Sequence, residues 1–220
     1  MSKVIIETLR EEAEKKGLNL SEKEIRAFDV YAAELKRWNS KVNLTAITKD
    51  IEIAIKHFVD SLALASYISP EDKVLDIGSG AGLPVIPLKI IKPETIMVSV
   101  DAVAKKIHFQ RHIIRTLKLD NIEALHTRVE DIHKSYSNFF TVITSRAFTR
   151  LDRFVSLAAP LLAEGGVFIA MKGEQADVEI TESSELLNFL GFKIINNHRY
   201  SLPQNMGERS ITILKHREAA

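Results

Sequence analysis

The chain has 220 residues, with 30 Lys and Arg against 29 Asp and Glu, a formal net charge of +1. That size fits one domain with a short extension, and 45% hydrophobic with 27% charged residues describes an ordinary globular chain, too nearly neutral to coat nucleic acid wholesale but with room for a local basic face. The absence of cysteine excludes disulfides, thiolate metal sites and a cysteine nucleophile; no apolar run approaches the ~18 residues of a membrane span, no signal peptide is visible after Met-Ser-Lys, and a cytoplasmic location is expected.

Lys3 to Lys16 reads as a charged helix with Ile5, Leu9 and Ala13 on one face, stopped by Gly17. Ser21 to Glu24 matches a capping box, with Ser21 as N-cap and Glu24 at N3. The helix behind it aligns Ile25, Phe28, Tyr31, Leu35 and Trp38, and its exit through Trp38 to Thr45 is polar and irregular. A third helix is expected from about Asp50, presenting Ile51, Ile55, Phe58, Leu62 and Ala65. Pro70 and Asp72 mark the boundary to the first strand. Residues 1–70 thus form a helical extension, too short and too continuous with residues 71–220 to count as a separate domain.

From Lys73 strands and helices alternate. Strands are expected near 73–77, 95–100, 122–126, 140–144 and 166–171, and helices near 84–91, 103–117, 151–162 and 176–190. Phe192 to Arg199 and Ser210 to Lys215 are two late strands with no helix between them. The expected fold class is α/β, a doubly wound, mostly parallel sheet with a terminal hairpin and one antiparallel strand. Ligands bind such sheets at the carboxyl ends of the strands.

The first strand runs directly into a glycine turn, Asp76-Ile77-Gly78-Ser79-Gly80-Ala81-Gly82-Leu83. Glycine there admits positive φ and close approach of a ligand to the backbone, and the amides opening the next helix face that ligand. The dinucleotide fingerprint G-x-G-x-x-G/A fails at Leu83, and no Lys-Ser/Thr pair completes a P-loop. The pattern present, D-x-G-x-G-x-G, resembles motif I of the class I S-adenosylmethionine methyltransferases. Asp101 closes the second strand 23 residues after Gly78, where an acidic residue holds ribose hydroxyls. The alternative is a glycine-rich turn that binds nothing, with Asp101 as a helix N-cap.

Three further groups fall at the same sheet edge. Thr127-Arg128-Val129-Glu130 follows the third strand; it is either a solvated loop or, as in class I methyltransferases, the loop that lies beside the adenine. Ser145-Arg146-Ala147-Phe148 follows the fourth; its arginine is either a fork for carboxylate or phosphate or a surface ion-pair residue. Met171-Lys172-Gly173 ends the fifth, and Lys172 is open between RNA contact and solvated charge. In the extension, His57 and Asp60 share a helix face at i, i+3. With Asn39, Asn43 and Ser61 they are more polar than a core-facing surface needs, which fits either RNA contact or capping and buried hydrogen bonding. No metal is expected, for there is no H-E-x-x-H and the histidines are scattered.

Taken together, Trp38-Asn39…Asn43-Leu44-Thr45, His57-x-x-Asp60-Ser61, the glycine turn through Leu83-Pro84, Arg128-Val129-Glu130, Ser145-Arg146-Ala147-Phe148 and Lys172-Gly173 resemble the RsmG (GidB) family, bacterial ribosomal RNA small subunit methyltransferase G, over nearly the whole chain. The resemblance implies a single methyltransferase domain, S-adenosyl-L-methionine as cofactor, and methylation of N7 of a guanine in 16S rRNA of the small ribosomal subunit. It implies cofactor contacts at Gly78, Leu83, Val129, Glu130 and Arg146, to which the motif reading adds Gly80 and Asp101. Arg146, Phe148 and Lys172 become positioning candidates, and Asn39, Asn43, His57 and Lys172 RNA-binding candidates. A monomer is expected. Two departures stand out: Val85 where the family often has Gly, and Ala102 after Asp101 where it often has Ser.

Exclusion supports the same chemistry. Methylation of a pyrimidine C5 commonly needs a cysteine, and none is present. Methylation of an exocyclic amine typically uses Asn/Asp-Pro-Pro-Tyr/Phe after the fourth strand, where this chain has Thr144 to Phe148. Guanine N7 carries an in-plane lone pair and no proton, so no general base is needed; positioning in a dry site is. The base must be unstacked to reach a buried cofactor, which favours a loop or single strand of RNA, with Phe148 a stacking candidate if it is not core. A class I methyltransferase of a small molecule or protein, and a nucleotide-binding module without catalysis, remain as alternatives.

Overall fold

The structure, a computed structural model, describes residues 2–217. The extension contains α1 (Lys3–Lys15) and α2 (Glu22–Val42), followed by a continuous helical run of α3 (Asp50–Glu52), a π-helix (Ile53–Val59) and α4 (Asp60–Leu62). The capping box forms as expected: the Glu24 amide donates to Ser21 Oγ at 3.3 Å and the Ser21 amide to Glu24 Oε2 at 2.6 Å. Two expectations need correction. The exit of α2 is helical to Val42, because the helix closes only at Asn43, which takes the left-handed conformation (φ 48°) that Asn tolerates. The third helix is not α-helical throughout: its middle widens into the π-helix.

The sheet comprises β1 (Lys73–Ile77), β2 (Ile96–Asp101), β3 (Ile122–His126), β4 (Phe140–Arg146), β5 (Leu162–Lys172), β6 (Phe192–Ser201) and β7 (Glu208–His216). Among the described residues these form one seven-stranded sheet in the order β3-β2-β1-β4-β5-β7-β6. The pairs from β3 through β5 are parallel, and β7 runs antiparallel to both β5 and β6. The expected hairpin and the one antiparallel strand are both present. Helices α5 (Val85–Ile91), α6 (Ala104–Leu117), α7 (Leu151–Ala158) and α8 (Ala176–Phe189) connect the strands. The helix expected over 151–162 ends at Ala158, two residues before Pro160; a 3-10 turn over Ala159–Leu161 follows, and β5 begins at Leu162.

Two cores flank the sheet. On one face α5 and α6 pack with the extension: Ile5, Leu9, Phe28, Tyr31, Leu35 and Phe58 share one buried cluster with Val74, Val142, Ile169 and Phe109. The rings of Phe28 and Phe58 lie 5.1 Å apart. Each such fully buried side chain contributes about 1.5–3 kcal/mol, so the extension is bound by the same kind of core that holds the sheet. On the other face α7 and α8 bury Phe154, Val155 and Leu187 against Leu75, Ile143 and Phe168. Strand order reverses between β1 and β4, and the site lies at their carboxyl ends.

Candidate active site

The glycine turn leaves β1 with Gly78 at φ 72°, Gly80 at 58° and Gly82 at 90°. Space as well as conformation requires glycine at two of these. A Cβ on Gly82 would stand 2.4 Å from Ile86 Cδ1 and 3.3 Å from the Tyr31 hydroxyl, and one on Gly78 would stand 2.4 Å from Phe148 Cδ2. Around Gly80 nothing lies within 4 Å of that position, so its Cα faces open space.

Three elements brace the turn. Tyr31, fully buried on α2, donates its hydroxyl to the Ala81 carbonyl at 2.6 Å. Gln110 of α6 donates to Ser79 Oγ and to the Gly80 carbonyl, each at 2.8 Å. Asp101 accepts the Gly80 amide at 3.0 Å on one carboxylate oxygen and the Val103 amide at 2.9 Å on the other. Asp101 therefore ties the end of β2 to the glycine turn and also stabilises the entry to α6. Neither Tyr31 nor Gln110 stood out in the sequence, since each looks like an ordinary member of a helical stripe.

Two cavities, each about 430 Å³, open at this edge and share Gly78, Lys106 and Ala147. The first is floored by Gly78, Val100 and Asp101 and walled by Thr127 to Glu130, with Phe148 opposite. Val129 and Glu130 lie in a 3-10 turn, Val129 buried and Glu130 exposed. The second lies between the glycine turn and the extension, and carries Gly80, Leu83, His57, Asp60, Arg146, Lys172 and Arg209. The positions expected to contact cofactor thus line one joined space, with Gly78 and Ala147 at its waist.

Electrostatics distinguish the second cavity. Asp60 is 2% exposed and gathers the Tyr200 hydroxyl at 2.7 Å on one oxygen and Arg146 Nη1 at 3.2 Å on the other, with Arg209 Nε 3.7 Å away. Arg146 also donates to the Lys56 carbonyl at 2.8 Å. His57 is buried; its Nε2 lies 3.1 Å from Thr45 Oγ1 and its Nδ1 has no hydrogen-bond partner among the described residues. Burial, helped by the Arg146 cation, lowers its pKa to about 4, so it is neutral at pH 7. Beneath the turn Asp76 is fully buried with neither oxygen hydrogen-bonded, and burial pushes its carboxyl well above the usual range despite the Arg146 cation and the nearby Val85 amide.

Other candidates sit differently from their expected places. Lys172 Nζ donates to the Thr149 carbonyl and to Glu179 Oε1, both at 2.6 Å, with its side chain 9% exposed; its charge is already neutralised. Phe148 is 38% exposed and its ring lies over Gly78. Neither cavity is lined by Asn39 or Asn43. Asn39 Oδ1 accepts the Leu44 and Thr45 amides at 2.6 and 2.8 Å and Asn43 caps α2, so they shape the wall that Leu44 and Thr45 present. Tyr200 and Arg209 reach Asp60 from strands 140 or more residues away, a convergence without local sequence signal. Among the described residues no three His, Cys, Asp or Glu side chains are placed to hold a metal, and no helix is long and apolar enough to cross a membrane.

Comparison with known proteins fits this geometry. The chain is 42% identical over 208 residues to the ribosomal RNA small subunit methyltransferase G of Geobacter sp. (strain M21), covering 94% of this chain and 96% of that relative. It is 41% identical over 203 residues to the protein of that name from Oceanobacillus iheyensis, covering 90% and 85%. In fold it is similar to the M. jannaschii protein TYW2 in complex with AdoMet (TM-score 0.57, 15% identity, 72% of this chain and 75% of that one). It is similar too to the ribosomal protein L11 methylase of Lactobacillus delbrueckii subsp. bulgaricus (TM-score 0.59, 13% identity, 74% and 79%). Residues 24–207 match the family described as GidB, rRNA small subunit methyltransferase G, and at this identity and coverage the chain belongs to that family.

Proposed function

We propose that this protein transfers the methyl group of S-adenosyl-L-methionine to N7 of a guanine in 16S rRNA of the small ribosomal subunit. The observation that carries the reading is the pair of cavities joined at Gly78 and Ala147, at the carboxyl ends of the central strands. The residues fit the cofactor. Asp101 floors the first cavity with a buried carboxylate, the Cα of Gly80 faces open space, and the volume lies in the ~300–1,000 Å³ range of small-molecule sites. On this reading Gly78, Asp101, Val129 and Glu130 hold the adenosine portion, and Gly80, Leu83 and Arg146 the methionine portion. When bound, the cofactor supplies an electrophilic methyl group on a sulfonium.

The chain's own groups then have three tasks. Backbone at Gly78 and Gly80 and the Asp101 carboxylate orient the cofactor, at an entropic advantage that can reach several kcal/mol of barrier. Arg146, fixed by Asp60 and the Lys56 carbonyl, places a guanidinium in the second cavity, where it faces either the cofactor carboxylate or an RNA phosphate. The neutral His57 and Thr45 line that cavity without offering a base, which a lone-pair nucleophile such as N7 does not require. We further infer one domain, since extension and sheet share a core, acting as a cytoplasmic monomer. The test is methyl transfer from labelled S-adenosylmethionine to small subunits, naked 16S rRNA and a metabolite pool, with the product mapped by mass spectrometry. N7-methylguanosine in 16S rRNA is expected; labelling of a metabolite or protein alone, or of another rRNA atom, would overturn the reading.

A further inference from the structure

The net charge of +1 conceals a segregated one. Helix α6, Ala104–Leu117, holds four Lys or Arg and two His and no carboxylate. Its buried face is Ile107, Phe109, Gln110 and Ile113. Lys105, His108, Arg111 and Arg115 are exposed, and Lys118 just beyond the helix continues the line. Spacings of three and four residues place them on one side of the helix, over ~20 Å at 1.5 Å per residue.

Most of this charge is uncompensated. Among the described residues no carboxylate lies within 4.0 Å of the cationic atoms of Lys105, Arg111, Arg115 or Lys118. The exceptions on α6 are Lys106, 3.6 Å from Asp101, and His112, whose Nε2 lies 2.6 Å from Glu34 Oε2. Helix α8, on the opposite face of the sheet, has the reverse composition: Asp177, Glu179, Glu182 and Glu185 with no cation. Three of those four acids are paired, with Arg199, Lys172 and Arg150. The outer side of α6 therefore displays open positive charge, whereas the negative charge of α8 is largely neutralised.

The basic line also has the right origin. It starts beside Lys106, which lines both cavities, and descends from their mouth. At its middle α2 lies alongside, with Trp38 5.2 Å from His112 ring to ring. There α2 adds exposed Lys41 and a half-buried indole, whereas Arg37 is paired with Glu34. Cations spaced along a helix beside a half-buried indole suit a polyanion with stacking bases, and a line of like charge steers such a partner into register.

We propose that the outer face of α6, with the adjoining end of α2, is the phosphate track that holds the substrate RNA strand beside the mouth of the site. The proposal rests on the protein's acting on RNA. Its test is the triple variant Lys105→Gln, Arg115→Gln, Lys118→Gln, all exposed and outside both cavities. Melting temperature and S-adenosylmethionine affinity should match wild type. Affinity for naked 16S rRNA should fall about tenfold at 0.1 M salt, and the slope of log K against log salt should become shallower by about 2, at ~0.7 for each single-strand phosphate contact. Glu182→Gln with Glu185→Gln on α8 should leave the slope unchanged. Equal RNA affinity and slope in the triple variant and wild type would overturn the track. Normal binding and methylation of naked rRNA with loss on small subunits alone would also overturn it, assigning α6 to a ribosomal protein instead. A wild-type protein that methylates no RNA fails earlier and takes the proposed function with it.

Discussion

Gly78→Ala isolates what the first glycine of the turn does. Its φ of 72° costs a non-glycine residue roughly 1–2 kcal/mol. The new Cβ would stand 2.4, 3.1 and 3.2 Å from Cδ2, Cγ and Cβ of Phe148. Three atoms of one ring and its stem are involved, so Phe148 as a whole must leave, towards the first cavity or towards solvent. The backbone term alone lowers the melting temperature by roughly 2–8 °C in a chain of this length. Displacement of the ring adds to that only while the ring is present. In calorimetry Gly78→Ala should therefore melt lower, and Phe148→Ala should make the loss smaller, with a coupling of at least about 0.5 kcal/mol between them. Cofactor affinity should fall about tenfold in Gly78→Ala, about 1.4 kcal/mol, and stay low in the double variant, because the methyl group still faces the ligand. Strictly additive stabilities would refute the contact between Phe148 and Gly78. Full recovery of cofactor affinity in the double variant would show that the glycine only accommodates the ring.

Three further outcomes are expected. Asp101→Ala should lose about 1.5–3 kcal/mol of cofactor binding, the range for hydrogen bonds to a charged group, and calorimetry with a 2′-deoxy cofactor analogue should show wild type and variant binding alike; a variant that still discriminates against the analogue removes Asp101 from the ribose. Arg146→Lys should impair methyl transfer, and cofactor titration without RNA decides why: weaker binding places the guanidinium on the methionine carboxylate, whereas normal binding with a shallower RNA salt dependence in Arg146→Ala places it on phosphate. For Asp76 the folded-state pKa is raised above the usual 3.8, so its contribution is complete below that pH and is lost as pH rises towards the folded value; urea midpoints of Asp76→Asn should gain on wild type progressively above pH ~4, and a gap independent of pH would show that Asp76 is ionised in the fold.

How far the site could be read from the sequence depends on how local its causes are. The glycine turn and the 23-residue interval to Asp101 were legible because adjacent parallel strands impose both. The strand order was legible in kind, as alternation followed by two strands without a helix. Where α2 ends was not, because a polar run reads as an exit until Asn43 is seen to supply the left-handed stop. Lys172 looked like a free cation because Glu179, seven residues on, reaches it only once α8 folds back over the end of β5. Arg146 was found by its place at a strand tip, but its partner could not be. That required the π-helix, β6 and β7 to meet.

That meeting explains why the extension belongs to the site rather than to its surroundings. Asp60 comes from the run of helix after Ile53–Val59, and its two oxygens are divided between Tyr200 of β6 and Arg146 of β4. A buried carboxylate is costly unless its bonds are satisfied, so the extension, the central strand and the far edge of the sheet must be in register together. The same extension sends Tyr31 to the Ala81 carbonyl and so holds the glycine turn from behind. The π-helix Ile53–Val59 carries His57, and π turns recur at functional sites. It faces His57 into the second cavity towards Thr45 while Asp60 reaches Arg146. The glycine turn and the second cavity thus share a wall built from residues before β1, and a change in that wall is felt on both sides.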